Sequence, residues 1–447
     1  MIIGMAVAPT RSFLLIHLLL QAHFNSMAFR FVHTADIHLD SPLRSLSLRD
    51  PDIAALIGGA TRQSFTGIID LCLDEAVDAL IVAGDLYDRE LTSMKTAAFL
   101  RAEMKRLADA GIRVFIIKGN HDSGSAITRH LSLPDNVHVF TGRAEAVLIE
   151  ERNVAVHGIS FASQHIAESL VPKFRSPIPD TTNIGLLHTS LAGSTAHDVY
   201  APCSLSDLTG VGFDYWGLGH IHQREVHAQG PTTVVMPGMP QGRHVNEAGP
   251  KTVTLVNVAD DGSVSISERH TSIAQFERVP VDVSDVEDWR SALVRIEAAL
   301  GKASDAALSE HLVARLEVRG TTELAFHLRR DLDRLLFETR DHLTEAGKTF
   351  VETIDLQVRI PAIETGSSEH DPFAELRNLM APDGSGNLDS LKKAARELVE
   401  HIQQQLPSDL RDEFGNSDAH LDALVEGFME EGAETLLARF EADRTIV

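Results

Sequence analysis

The feature that most constrains this chain is a pattern repeated between residues 29 and 222. A short run of β-branched and other apolar residues stops abruptly on a cluster of Asp, Asn or His. Phe29–His33 reads as a strand and runs into Asp36-Ile37-His38, and Ala79–Ala83 into Gly84-Asp85-Leu86-Tyr87-Asp88. Ile112–Ile117 leads to Gly119-Asn120-His121-Asp122, Ile184–Leu187 to His188, and Tyr215–Leu218 to Gly219-His220-Ile221-His222. Helical stretches, Thr61–Val77 and Ser93–Ala110, separate the first three strands. This alternation calls for an α/β sandwich with a parallel component. Ligands of such sheets sit outside the carboxyl ends of the strands, so all five clusters can share one crevice. Further strands are expected near Val154–Val156, Thr233–Val235, Val253–Val258 and Val264–Ser267. No long helix separates the later ones, so this half is expected to be more antiparallel.

Taken singly, each cluster has an ordinary explanation. Asp36-x-His38 could be a turn carboxylate beside a surface histidine, Gly84-Asp85 and Gly119-Asn120 could be plain turns, and His188 a core histidine. His220-x-His222 says more, because a spacing of two on extended chain splits the rings unless the backbone bends around a shared centre. Together, and in this order on strand ends, carboxylate, imidazole and amide donors suit a divalent ion such as Mn²⁺, Fe²⁺ or Zn²⁺. Composition narrows the rest. A formal charge of −24 argues against a free-standing DNA reader with a basic face, though not against an enzyme that meets phosphate through cations. Two cysteines exclude a disulfide framework or a cysteine zinc site and point to a reducing, cytoplasmic compartment. Three Tyr and two Trp are too few for a base-stacking platform.

The order D-x-H, G-D-x-x-D, G-N-H-D, H, G-H-x-H resembles that of the calcineurin-like metallophosphoesterases. Phe31-Val32-His33-Thr34-Ala35-Asp36-Ile37-His38-Leu39-Asp40-Ser41-Pro42 and Gly84-Asp85-Leu86-Tyr87-Asp88 are similar to the SbcD-like DNA repair exonucleases. Pro134-Asp135-Asn136-Val137-His138-Val139-Phe140, Ala201-Pro202-Cys203-Ser204-Leu205 and Gln241-Gly242-Arg243-His244 resemble the YhaO-type branch of that group. The resemblance covers residues 28–270 firmly, the next ninety weakly and the tail hardly at all. At Pro237-Gly238-Met239-Pro240 the chain departs from it, since relatives usually place a polar residue after Pro-Gly; that bears on a local nucleic-acid contact, not on metals.

The resemblance implies two divalent ions, Mn²⁺ foremost. Asp36, His38, Asp85 and His222 would hold one, and Asp85, Asn120, His188 and His220 the other, with Asp85 bridging. Two ions ~3.5–4 Å apart can activate water and clamp phosphoryl oxygens. His121 would face the substrate and act on the leaving oxygen or the developing charge. Asp88 would orient His121 or, equally, cap a helix. Arg243 and His244 are candidates for phosphate contact. The implied function is a DNA exonuclease or endonuclease working in repair with an SMC-like coiled-coil ATPase, as a possible homodimer. Two alternatives stand beside it: a phosphodiesterase for small molecules or nucleotides, and a scaffold subunit that regulates an ATPase.

The chain's length, 447 residues, suggests about two or three domains. Residues 1–27 read as an extension, either a targeting segment around Phe13–Leu20 or, as preferred here, sequence upstream of a true start at Met27. The Phe13–Leu20 run is too short to span a membrane, and no membrane association is expected. Residues 28–275 form the expected metallophosphoesterase domain and 276–362 a small α+β capping domain. Its elements are Val279–Val283, Trp289–Leu300, Leu312–Val318, Glu323–Leu336 and Phe350–Ile360. A linker near Gly366 precedes an acidic helical tail, 370–447, expected to dock a partner. Residues 276–447 carry 36 acidic against 19 basic side chains, residues 28–275 only 28 against 20. Leu388, Leu391, Ala395, Leu398, Ile402 and Leu406 form an apolar stripe between Asn387, a candidate N-cap, and Pro407. Leu421, Leu424, Val425 and Phe428 form a second stripe, and Leu436, Leu437 and Phe440 a third. The alternative is that the stripes pack on one another.

Overall fold

A computed structural model describes residues 28–41, 58–87, 93–124, 132–191, 199–343, 348–361, 389–405 and 418–444. The 1–27 extension, Asp88, the linker near Gly366, Asn387 and Pro407 lie outside them. The chain divides into two compact units, one running to Glu277 and including Ala306–Val313, the other made of Arg278–Asp305 and the residues from Ala314 on.

The first unit contains two six-stranded mixed sheets. β1 (Phe29–Thr34), β2 (Ala79–Ala83), β3 (Arg113–Ile117) and β4 (Val137–Val139) are mutually parallel, β11 (Thr252–Val258) runs antiparallel beside β1, and β12 (Val264–His270) antiparallel beside β11. The second sheet has the order β5-β6-β7-β8-β10-β9. Its members are β5 (Glu145–Ile149), β6 (Val154–Gly158), β7 (Thr182–His188), β8 (Tyr215–Gly219), β9 (Glu225–Gln229) and β10 (Thr232–Met236). Here the expected antiparallel bias is corrected. β6, β7, β8 and β10 run parallel, and only the edge pairs β5–β6 and β10–β9 are antiparallel. Among the described residues the crossovers between the parallel strands use loops, a 3-10 turn at Val171–Lys173 and one short helix, α3 (Leu205–Val211), where a long helix was the expected sign of parallel pairing.

Each sheet is apolar on both faces. Phe29, Phe31, Ile81 and Phe115 meet Val156, Ile184, Leu186 and Tyr215 between the sheets. Burying a side chain such as Phe31 stabilises by about 1.5–3 kcal/mol. On the outer face of the first sheet lie α1 (Ala60–Asp74) and α2 (Met94–Asp109), which bury Phe65, Ile68, Ile69, Leu100, Met104 and Leu107 against Val32, Leu80 and Val114. Ser93, expected inside that helix, is its N-cap and accepts the Lys95 N–H at 3.1 Å. Three strands have no counterpart in the sequence reading: β4, β5 and β9. All are edge strands, each paired along one side only.

Most of a three-stranded sheet, β13 (Ala274–Asp282), β14 (His311–Thr321) and β15 (Thr349–Arg359), belongs to the second unit, with nearly all of α4 (Trp289–Ala306). The single element expected over Glu323–Leu336 is two helices, α5 (Ala325–Arg330) and α6 (Leu332–Leu343). They break at Asp331, whose backbone leaves helical geometry and whose carboxylate takes the Arg330 guanidinium. In the tail, α7 (Asp389–Gln405) packs against α8 (Asp418–Arg444) through Val399, Leu421 and Val425. Leu391, Leu398 and Ile402 of the first stripe remain exposed. Among the described residues no helix is long and apolar enough to cross a membrane.

Candidate functional site

Past their last residues β1 and β2 stay side by side. Asp36 N–H donates to Gly84 O, His38 N–H to Asp85 O and Leu39 N–H to Leu86 O, all at 3.0 Å. Asp36, His38 and Asp40 have φ of 51, 46 and 60°, while the intervening Ile37 and Leu39 are buried in the core. The alternation of the Asp-Ile-His-Leu-Asp run thus becomes a sharp ribbon that anchors apolar side chains and gathers polar ones. Asp85 (φ 51°) and His220 (φ 98°) share this left-handed backbone. Non-glycine residues rarely adopt it, and it costs of order 1–3 kcal/mol each, so its concentration at one crevice marks geometry held for use. Gly84, Gly119 and Gly219 make the crevice possible. A Cβ on Gly84 would overlap the His188 ring, one on Gly219 the Ala83 carbonyl oxygen, and one on Gly119 the Asp85 carboxylate.

The clusters converge. Ligand-capable atoms of Asp36, His38 and His222 lie within 4.8 Å of one another, as do those of Asp36, Asp85 and His188, and those of His38, Asp85 and His121. At the end of β7, His188 is wholly buried, and its Nδ1 donates to Ala83 O at 2.9 Å. Its Nε2 then faces two acceptors, Asn120 Oδ1 at 3.0 Å and Asp85 Oδ2 at 3.4 Å. Only a proton or a cation satisfies that meeting of three lone-pair-bearing groups. Without a metal the proton takes the place: burial works against the charged ring, but Asp85 and Asp36 push His188 up to about 9. Asp85 is held far below the carboxylate range, because the imidazoles of His188, His121 and His38 outweigh its burial. Asp36 is pushed up to about 6 by burial and by the charge of Asp85, against the pull of His188 and His222; it accepts the His220 N–H at 3.0 Å.

On the other side, the Nε2 atoms of His38 and His222 face each other at 3.3 Å, and the buried Nδ1 of His38 has no hydrogen-bond partner among the described residues. Opposed imidazole nitrogens beside two buried carboxylates fit the donor set of a divalent cation. The His220 ring lies 5.2 Å from that of His188 and 5.4 Å from that of Tyr200. His121 has its N–H on Asp85 Oδ1 at 2.9 Å, and its ring stands edge-on to His38 at 4.9 Å.

Two anchoring carboxylates escaped the sequence reading. Asp122 ties two loops together by accepting the N–H groups of Leu86, Tyr87 and Gly119. Glu247 accepts from His222 Nδ1 at 2.9 Å. Asp122 stood inside a recognised motif, so its position was a signal; Glu247 had none. Arg243 lies against Glu247, with Nη to Oε1 at 2.7 Å, and reaches Ser41 Oγ at 3.4 Å. His244, 41% exposed, receives the Asn246 N–H on Nδ1 at 3.3 Å. Beside the crevice Asp40 accepts from Arg62 Nε at 2.5 Å and Nη2 at 2.6 Å and from the Thr96 hydroxyl, which fixes the ribbon to α1 and α2.

Comparison with known proteins agrees with this geometry. Residues 29–224 match the calcineurin-like phosphoesterase family, and residues 276–359 match the middle domain of the metallophosphoesterase YhaO. The uncharacterized metallophosphoesterase YhaO of Bacillus subtilis (strain 168) is 34% identical over 276 residues, 61% of this chain and 67% of that one. The DNA double-strand break repair protein Mre11 of Sulfurisphaera tokodaii is 27% identical over 212 residues, 44% of this chain and 50% of its own. That of Sulfolobus acidocaldarius is 26% identical over 247 residues, 52% and 61%. The chain thus spans only half to three fifths of these Mre11 proteins. The fold implies divalent metal ions and hydrolysis of phosphoester bonds. The chain belongs to the calcineurin-like metallophosphoesterase family, with a YhaO-type middle domain at residues 276–359.

Proposed function

We propose that the crevice holds two divalent cations, Mn²⁺ foremost, and hydrolyses phosphodiester bonds of DNA as an exonuclease or endonuclease. The observation that carries this reading is the convergence of Asp36, Asp85, His38, His188 and His222 with their acceptor atoms facing one another. Asp36, His38 and His222 hold one cation with Asp85, and Asp85, Asn120, His188 and His220 hold the other. Bound there, the cations supply Lewis acidity, lowering the pKa of water and neutralising phosphoryl oxygens. The carboxylates of Asp85 and Asp36 offset repulsion between the two sites. His121, half-buried and fixed through its N–H, turns its imidazole to the substrate, where it protonates the leaving oxygen or hydrogen-bonds the developing charge.

DNA is favoured as substrate because the Mre11 relatives are named for double-strand break repair. The chain's acidity then requires phosphate to be met mainly through the cations rather than a basic face. The exposed Leu391, Leu398 and Ile402 suit a helix-on-helix contact with an SMC-like coiled-coil ATPase, in the cytoplasm. The test is hydrolysis of linear DNA by the purified protein with Mn²⁺, set beside bis-p-nitrophenyl phosphate and cyclic nucleotides. Degradation of DNA with cyclic nucleotides left intact is expected. Turnover of cyclic nucleotides with DNA untouched would replace this reading by that of a small-molecule phosphodiesterase.

A further inference from the structure

We propose that Glu247 and Arg243 form a positioning pair that fixes the tautomer and angle of His222, so that Arg243 serves the metal centre and not the substrate phosphate. The inference rests on the reading of the crevice as a two-metal site. His222 Nδ1 lies 2.9 Å from Glu247 Oε1. A carboxylate only accepts, so Nδ1 carries the hydrogen and Nε2 presents its lone pair towards His38 Nε2. Glu247 cannot turn away. Its Oε2 accepts the Arg243 backbone N–H at 2.7 Å and Nε at 3.3 Å, and its Oε1 accepts the Arg243 Nη at 2.7 Å. The Glu247 side chain is 7% exposed and that of Arg243 16%, which leaves the guanidinium little surface to offer a phosphate.

The same loop grips His222 from behind. Met239 N–H donates to His222 O at 3.2 Å. Gly238, at φ +74°, lies so close that a Cβ there would stand 2.7 Å from that oxygen. The loop is itself anchored: Pro240 O accepts the hydroxyls of Ser64 at 3.1 Å and Thr271 at 2.9 Å, and Gln241 Oε1 accepts the Ile273 N–H at 2.8 Å. One segment, 238–247, therefore sets both the backbone and the ring of His222. A carboxylate behind a ligating histidine typically changes metal affinity by about 10–100-fold.

The test is Mn²⁺ titration of the full-length protein by calorimetry, without DNA, together with long-range ¹H–¹⁵N correlation of the histidine rings in the metal-free protein. Glu247→Ala is expected to weaken one of the two Mn²⁺ sites about 10–100-fold, spare the other, and release His222 into a mixture of tautomers. Glu247→Gln, which keeps the shape and loses the charge, is expected to shift the same site in the same direction by less, and it serves if the alanine variant does not fold. Arg243→Ala is expected to weaken that site too, with KM for a phosphodiester unchanged at saturating Mn²⁺. Parent-like Mn²⁺ binding and an unchanged tautomer in both Glu247 variants would overturn the inference, as would a raised KM with parent Mn²⁺ affinity in Arg243→Ala. Failure of the parent to bind two ions would instead overturn the two-metal reading beneath it.

Discussion

In the first unit charge is buried: Asp36, Asp85 and His188 are each 2% exposed or less, with left-handed backbone at both aspartates. In the tail of the second, Arg396 reaches Glu400, Asp418 and Asp422, and Lys392 reaches Glu426, on surfaces open to water. Apolar groups are arranged the other way round. The sandwich hides Phe29, Phe31 and Trp216 completely, while the tail leaves Leu391, Leu398, Ile402 and Phe428 exposed. Buried charge is expensive unless something compensates it, so the first unit is organised around whatever fills its crevice. The tail's charges cost little, and its exposed apolar face is the feature that calls for a partner.

Removing a central charge of the crevice is the strongest way to test that contrast. Asp85→Ala is expected to abolish hydrolysis and stable occupancy of both metal sites. His121→Ala should keep metal and lose about 10²–10⁴-fold in turnover, the range of a general acid–base contribution. Metal content by mass spectrometry, read beside the rate, separates the two. Loss of both ions in the His121 variant would make His121 a ligand, a role its proximity to His38 and Asp85 allows.

The next test concerns a buried group outside the metal cluster. His33 Nδ1 meets Tyr215 Oη at 2.9 Å and its Nε2 meets Leu218 O at 3.1 Å, and burial lowers its pKa to about 3. The unfolded chain binds a proton near pH 6.5 where the folded one does not. Stability from this site is therefore whole above pH 6.5, falls by about 1.4 kcal/mol per pH unit below it, and levels off near pH 3. Urea unfolding at pH 7 and pH 4.5 should show His33→Gln losing about 2–3 kcal/mol less than the parent over that interval. Equal losses would mean that burial of His33 is not what makes the sandwich acid-labile.

How much of this was legible in the sequence follows from range. The central strands and the polar clusters at their ends were readable because apolar run, stop and donor residues are neighbours in the chain. The edge strands β4, β5 and β9 were not, since their pairing is decided by a partner elsewhere. Glu247 is one of 64 acidic residues and stands 25 positions after His222; only the fold brings the two together. In the tail the apolar spacing marked Leu391, Ala395, Leu398 and Ile402 as one stripe but could not tell that Ala395, with Val399 beside the stripe, packs towards α8 while Leu391, Leu398 and Ile402 stay exposed.

That exposed stripe gives the third prediction. Leu398→Glu together with Ile402→Glu should leave the melting temperature and the phosphodiesterase rate of the isolated protein nearly unchanged, because both side chains are exposed already, Leu398 at 61% and Ile402 at 41%. Co-purification with an SMC-like ATPase should be lost, since a charge in an apolar helix groove must be desolvated on binding. A collapse in stability would show that the stripe packs within this chain, and the contrast between the units would weaken.

The smallest effect is expected from the tail's own charges. Arg396 sits between Glu400 at 3.0 Å, Asp418 at 2.8 Å and Asp422, and the residue most open to water among them, Asp418, has a side chain 91% exposed. Solvent screens such pairs, and holding a long arginine in place costs side-chain entropy, so exposed ion pairs contribute little on average. What holds α7 to α8 should instead be Val399, Leu421 and Val425, with Val425 fully buried. Arg396→Gln is therefore expected to leave the helical melt of the tail nearly where it was, and raising salt should shift parent and variant alike. Val425→Ala should lower the same melt measurably, by the burial of two methyl groups and the space they leave. If the arginine variant proved the more damaging of the two, and salt reproduced its effect in the parent, the tail would be held by charge after all, and the two units would differ less than their burial suggests.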